Sequence, residues 1–95
     1  MEVTVKGSGY ARPATVARID GGEDPTDDLY LALLPQGPIV VLRGAAAALY
    51  RAVVDGADPV PALASALEVD EGEIDGEGVE ELLVEWVEEG LLSQG

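Results

Sequence analysis

Hydrophobic positions in the middle of the chain form two short runs around a turn signal, and beyond them recur at helical spacing. Residues 29–34 (LYLALL) are apolar almost throughout, and residues 38–42 (PIVVL) are short and β-branched. Between them, Pro35-Gln36-Gly37 joins a ring that presets φ to a residue that accepts a positive φ. The two runs are therefore expected to pair back as a hairpin. Pro38 has no N–H to give to a ladder, which places it at the start of a strand or on an edge strand. Upstream, residues 13–19 (PATVARI) predict a first strand, with Thr15, Val16 and Ile19 suited to a pleated surface. Earlier still, Val3 and Val5 alternate with polar neighbours until Gly7 and Gly9 break the run. The stretch at 20–28, DGGEDPTDD, reads as a turn and a solvated acidic loop.

After Gly44 the segment AAAALYRAVVDG predicts a helix. Ala is the best helix former, Leu49, Tyr50 and Val53 recur on one side, and Gly56 suits the residue just past a helix end. Asp58-Pro59 supplies an N-cap followed by proline at the first helical position. The second helix, about 59–68, would bury Val60, Leu63, Ala64 and Leu67. An acidic connection over 68–78 follows, with Val69 and Ile74 as anchors. The third helix is expected over about 76–89, with carboxylates at its positive end and Gly90 as its stop. Leu91 and Leu92 would then pack back. On a helical wheel Val79, Leu82, Leu83 and Trp86 form a core stripe. Val84, Val87 and Leu91 form a second stripe beside Glu80 and Glu88. That second stripe has two readings: a wider buried face, or one wall of a surface groove. The order of elements predicts an α+β fold, winged helix-turn-helix-like, with a three-stranded antiparallel sheet followed by three helices. One domain is expected over 1–95, with its core at about 13–92.

Composition narrows the function more than the fold. The 47% apolar content excludes a wholly disordered chain, while three Tyr, one Trp and no Phe leave the core to Leu, Val, Ile and Ala. Nineteen Asp and Glu against five Lys and Arg give a net charge of −14, which repels phosphate backbones and anionic membranes. A winged helix would read DNA with its third helix, but here that helix carries Glu77, Glu80, Glu81, Glu85, Glu88 and Glu89 and no cation. Nucleic acid is not an expected partner. With no Cys and no His, disulfides, zinc sites and His-activated nucleophiles are excluded. No apolar run approaches the roughly 18 residues of a membrane span, and the N-terminus lacks a signal-peptide pattern, so a cytoplasmic protein is expected.

The spacings that could carry chemistry fail on specific positions. Glu71-Gly72-Glu73-Ile74-Asp75-Gly76 resembles the start of a calcium loop, yet its twelfth position is Leu82, where a bidentate Glu is needed. Gly56-Ala57-Asp58 resembles the approach to a carrier-protein attachment serine, but Pro59 stands in that serine's place. No glycine-rich phosphate loop follows a strand. No catalytic residue, cofactor or metal is expected, and the chain does not read as an enzyme.

The order of motifs from Leu33-Leu34-Pro35-Gln36-Gly37, through Ile39 to Leu42, Asp55-Gly56, Val60, Leu63 and Leu67, to Val79-Glu80-Glu81-Leu82-Leu83 and Glu89-Gly90-Leu91 resembles the PqqD-like family. Members are also called RiPP recognition elements, and the resemblance covers residues 29–92. It implies a domain that binds the leader of a ribosomally made precursor peptide and presents it to a modifying enzyme or a leader protease. In such relatives the leader adds as a strand to the sheet edge and lies against the third helix. Carried onto this chain, the edge is Ile39, Val40, Val41 and Leu42, and the helix side is Glu80, Leu83, Val84, Val87 and Glu88. An open edge strand offers unpaired N–H and C=O groups to an extended peptide, and the glutamates would favour Lys or Arg in it. The same edge could pair with its own copy, so a monomer or a homodimer is expected. The competing reading is a winged-helix module that binds a folded partner.

Overall fold

The computed structural model describes residues 10–94, so the alternation at Val3 and Val5 lies outside the described residues. The element order is β1 (Tyr10–Ala11), β2 (Val16–Asp20), β3 (Leu29–Leu33), β4 (Ile39–Leu42), α1 (Ala45–Val54), α2 (Pro59–Leu67), a one-turn 3-10 helix (Glu71–Glu73), α3 (Gly76–Glu88) and β5 (Ser93–Gln94). The chain is α+β. β2, β3 and β4 form an antiparallel sheet in that order, and α1, α2 and α3 share one core with its inner face. The expected hairpin forms, with Leu31 opposite Val40 and Leu29 opposite Leu42. β2 is shorter at its start than the expected 13–19. The Val16 N–H bonds the Pro13 carbonyl at 3.0 Å, so a tight turn consumes the first residues, and pairing runs on to Asp20.

Strand alternation sets the core. Val16, Leu29, Leu31 and Leu42 turn inward and are buried. The alanines of α1 allow close approach, and Ala47, Ala48, Leu49, Tyr50 and Val53 are buried with them. Tyr50 lies edge-on to Trp86, with ring centroids 5.5 Å apart, and its hydroxyl donates to the Leu91 carbonyl at 2.8 Å. Burial pushes the Tyr50 pKa up to about 12, against a smaller lowering by Arg12 and Arg18. The phenol is therefore neutral at physiological pH.

Each helix ends by the same device. At α3 the Gly90 N–H bonds the Val87 carbonyl and the Leu91 N–H bonds the Trp86 carbonyl, with Gly90 at φ 83°. α1 repeats this at Gly56 and Ala57. α2 repeats it with Glu68, a non-glycine residue at φ 58°, which costs roughly 1 kcal/mol of backbone strain. Gly44, before α1, sits at φ 59° and ψ −124°, a region open only to glycine. Two elements had no signal in the pattern: β1 and β5 pair Tyr10 with Gln94 and Ala11 with Ser93. Two-residue strands are too short to show a period.

The acidic stretch at 20–28 corrects a sequence expectation. Its side chains are largely exposed, but its backbone is folded around a cation rather than simply solvated. Arg51 of α1, only 9% exposed, donates from Nε to Asp20 at 2.9 Å. Its Nη1 reaches the carbonyls of Asp24, Pro25 and Asp27 at 3.3, 2.6 and 2.7 Å, and its Nη2 reaches Asp28 at 3.1 Å. The fork of Arg18 grips Asp20 as well, at 3.1 and 3.2 Å.

Arg51→Lys is expected to lower stability by about 2–3 kcal/mol in urea unfolding, because an ammonium cannot span one carboxylate and four carbonyls. The bonds from Arg18, and after them those from Arg51, hold the Asp20 carboxyl below its ordinary pKa of 3.8. A depressed carboxylate pKa stabilises the fold above the unfolded value and loses that contribution as pH falls through the folded value. Between about pH 5 and pH 2, unfolding midpoints of the native protein should therefore fall more steeply than those of Asp20→Asn.

Candidate peptide-binding site

The order β2-β3-β4 leaves β4 at an edge. The Leu33 N–H bonds the Pro38 carbonyl at 3.2 Å, and the register places Leu31 opposite Val40 and Leu29 opposite Leu42. Hydrogen-bonded pairs alternate in an antiparallel ladder. Val40 and Leu42 therefore spend their backbone groups on β3, whereas Ile39 and Val41 turn N–H and C=O to the open side. No described strand pairs with them there. The opposite edge, on β2, is partly closed, since Arg12 Nη1 caps the Val16 carbonyl at 2.7 Å.

Side chains divide the same way. Ile39 and Val41 are exposed, Val40 is half-buried against the core, and Leu42 is buried. Of the four residues expected to receive a peptide, two present backbone to it and two face β3.

On α3 the expected stripe splits. Leu83 is 2% exposed and belongs to the core, so its side chain does not line a groove, which corrects its place among the site residues. Leu91 is likewise fully buried. Val87 is half-buried against the core, consistent with a wider buried face. Val84, at 51% exposure, stands out among Glu77, Glu80 and Glu81 on a shallow depression, and Glu88 is exposed. Glu80 also borders an opening lined by Pro59, Val60 and Pro61 at the start of α2.

The better-formed apolar space is elsewhere. An open cleft of about 270 Å³ is lined by Ala45, Ala46 and Leu49 of α1, Leu63 of α2, Ile74, and Val79 and Leu82 of α3, with Glu73 and Asp75 as its acidic members. Leu82 was expected in the core but is only half-buried, because it meets this cleft. Two residues along a helix turn by about 200°, so Leu82 and Val84 leave α3 on nearly opposite sides. The Leu82 side is the one that meets Ala45 and Ala46, directly after β4. The edge backbone and an apolar cleft are thus joined through the β4–α1 turn, on the side of α3 away from Val84. Sequence reasoning missed this because the alanines read only as helix formers.

The electrostatic setting is one-sided. Residues 1–51 hold all five Lys and Arg and six carboxylates, whereas residues 52–95 hold thirteen carboxylates and no cation. The α2–α3 half is strongly negative and the sheet half nearly neutral. No described helix is long and apolar enough to cross a membrane. Comparison of the chain with family models, curated proteins and solved structures finds no match.

The two neighbours on α3 should behave oppositely. Leu83→Ala is expected to cost about 2–5 kcal/mol in urea unfolding, whereas Val84→Arg should stay within about 0.5 kcal/mol.

Proposed function

We propose that this domain is a non-catalytic, PqqD-like winged-helix module that binds the leader of a ribosomally synthesised precursor peptide and hands it to a modifying enzyme or a leader protease. The observation that carries the reading is the open edge of β4, where Ile39 and Val41 offer a ladder beside an apolar cleft on an acidic helix pair. The order of motifs in the sequence supports the same assignment.

In this mechanism the leader adds antiparallel or parallel to β4 and exchanges main-chain hydrogen bonds with Ile39 and Val41, which supplies affinity without sequence preference. An apolar leader side chain enters the cleft between Ala45, Ala46 and Leu82. Leader Lys or Arg residues are oriented by Glu73 and Asp75 at the cleft, while Glu80 and Glu88, on the Val84 side of α3, only add to the field that speeds encounter. The domain itself performs no bond chemistry.

The test is anisotropy of a labelled synthetic leader from the precursor peptide encoded nearest the protein. Trp86 is 3% exposed and packed on Tyr50, so its fluorescence reports the core rather than the cleft. Val41→Pro removes a donor that faces the open edge and loses no ladder bond, and Ala45→Arg fills the cleft from an exposed position. Each should weaken binding at least about tenfold without unfolding the domain, whereas Val84→Arg should change it less than about threefold. Full affinity in both Val41→Pro and Ala45→Arg would overturn the site. Loss of binding in Val84→Arg alone would move it to the other side of α3.

A further inference from the structure

The outer face of the sheet adjoins the β4 edge but lies outside the apolar cleft, and nothing described covers it. Strand alternation sends Ala17, Ile19, Tyr30, Ala32, Ile39 and Val41 to this face. The register aligns them in two rows across all three strands: Ile19, Tyr30 and Val41 in one, and Ala17, Ala32 and Ile39 in the other. Neither row contains a charged side chain, although the molecule carries a net charge of −14. Ile19 and Ile39 are 67% and 70% exposed, and between the rows lies a shallow apolar depression of about 200 Å³. A sheet with one face in water ordinarily alternates apolar and polar residues; this one is apolar on both faces.

We infer that this face packs against the same face of a second copy of the chain, giving a two-fold dimer with two sheets stacked about 10 Å apart. Charge selects this occupant and this geometry. All the cations precede α2 in the chain, and thirteen of nineteen carboxylates follow Arg51. Stacking sheet on sheet points the two acidic helical halves to opposite poles, beyond the roughly 8 Å over which charges act at physiological salt. Any contact made through the helices would set them against each other. Two such faces would remove on the order of 1,000 Å² from water, at the lower limit for a specific interface, so the dimer is weak and concentration-dependent. Both β4 edges stay open in it, so each copy can hold a peptide.

The experiment is sedimentation equilibrium of the full chain, without peptide, from about 1 µM to about 500 µM. A monomer–dimer equilibrium with a dissociation constant on the order of 10–100 µM is expected. Raising NaCl from about 50 to 500 mM should tighten it several-fold, because the residual interaction between copies is repulsive. Ile19→Lys and Tyr30→Lys should each weaken it at least tenfold. Ile19 lies on β2, a full strand away from β4, so a dimer made by β4 edge pairing would ignore Ile19→Lys. A monomer at every concentration and salt would overturn the inference, and so would a dimer that both substitutions leave unchanged. Ile19 and Tyr30 belong neither to the β4 backbone edge nor to the cleft, so failure of this inference leaves the peptide-binding reading to its own test.

Discussion

The Arg51 guanidinium is the constraint on which the geometry of this domain depends. It leaves α1, crosses to the β2–β3 connection and distributes its donors over the Asp20 carboxylate and four carbonyls of residues 24–28. An eight-residue acidic connection would otherwise gain little from order, since its side chains repel one another and bury nothing. Wrapped around one cation, it becomes a rigid block whose Thr26 carbonyl accepts the Gly44 N–H at 3.2 Å. That bond fixes the β4–α1 turn. The relation between the open strand edge and the cleft beside Ala45 follows from it.

The light core is arranged to the same end. Small residues on α1 let it lie close to α2, and Tyr50 ties it to the C-terminal segment through the Leu91 carbonyl. Because Gly90 turns the chain back, Leu91 and Leu92 reach the core and β5 reaches β1. α3 is thereby tied down at its C-terminal end. Its buried stripe of Val79, Leu83 and Trp86 leaves Leu82 to the cleft and Val84 to solvent.

Charge and apolar surface are separated in a way that assigns work to different sides. The helical half is negative and contains the cleft, which suits a basic extended chain. The sheet half is nearly neutral, with a bare outer face, which suits a surface that must approach an equally acidic neighbour. On the proposed reading salt would act on the two in opposite directions, screening attraction of a basic peptide at the cleft and repulsion between stacked sheets.

Sequence alone determined whatever depends on local periodicity. The hairpin around Pro35-Gln36-Gly37, the glycine stops at 56 and 90, the proline start of α2 and three of the four expected stripe positions on α3, Val79, Leu83 and Trp86, follow from spacing and composition, although Gly37 does not adopt the positive φ expected of it. The edge position of β4 was also legible, from Pro38 and the brevity of the strand. Tertiary structure decided the rest, because those features arise between segments distant along the chain. Arg51 reads as one more helix former until Asp20 and the 24–28 carbonyls stand around it. The wheel places Leu82 in the core stripe and Val84 in a second one, but only the fold shows that Leu82 meets Ala45 and Ala46 at a cleft while Val84 meets water. Which backbone groups of β4 remain open depends on the register against β3, and a shift of one residue would exchange Ile39 and Val41 for Val40 and Leu42.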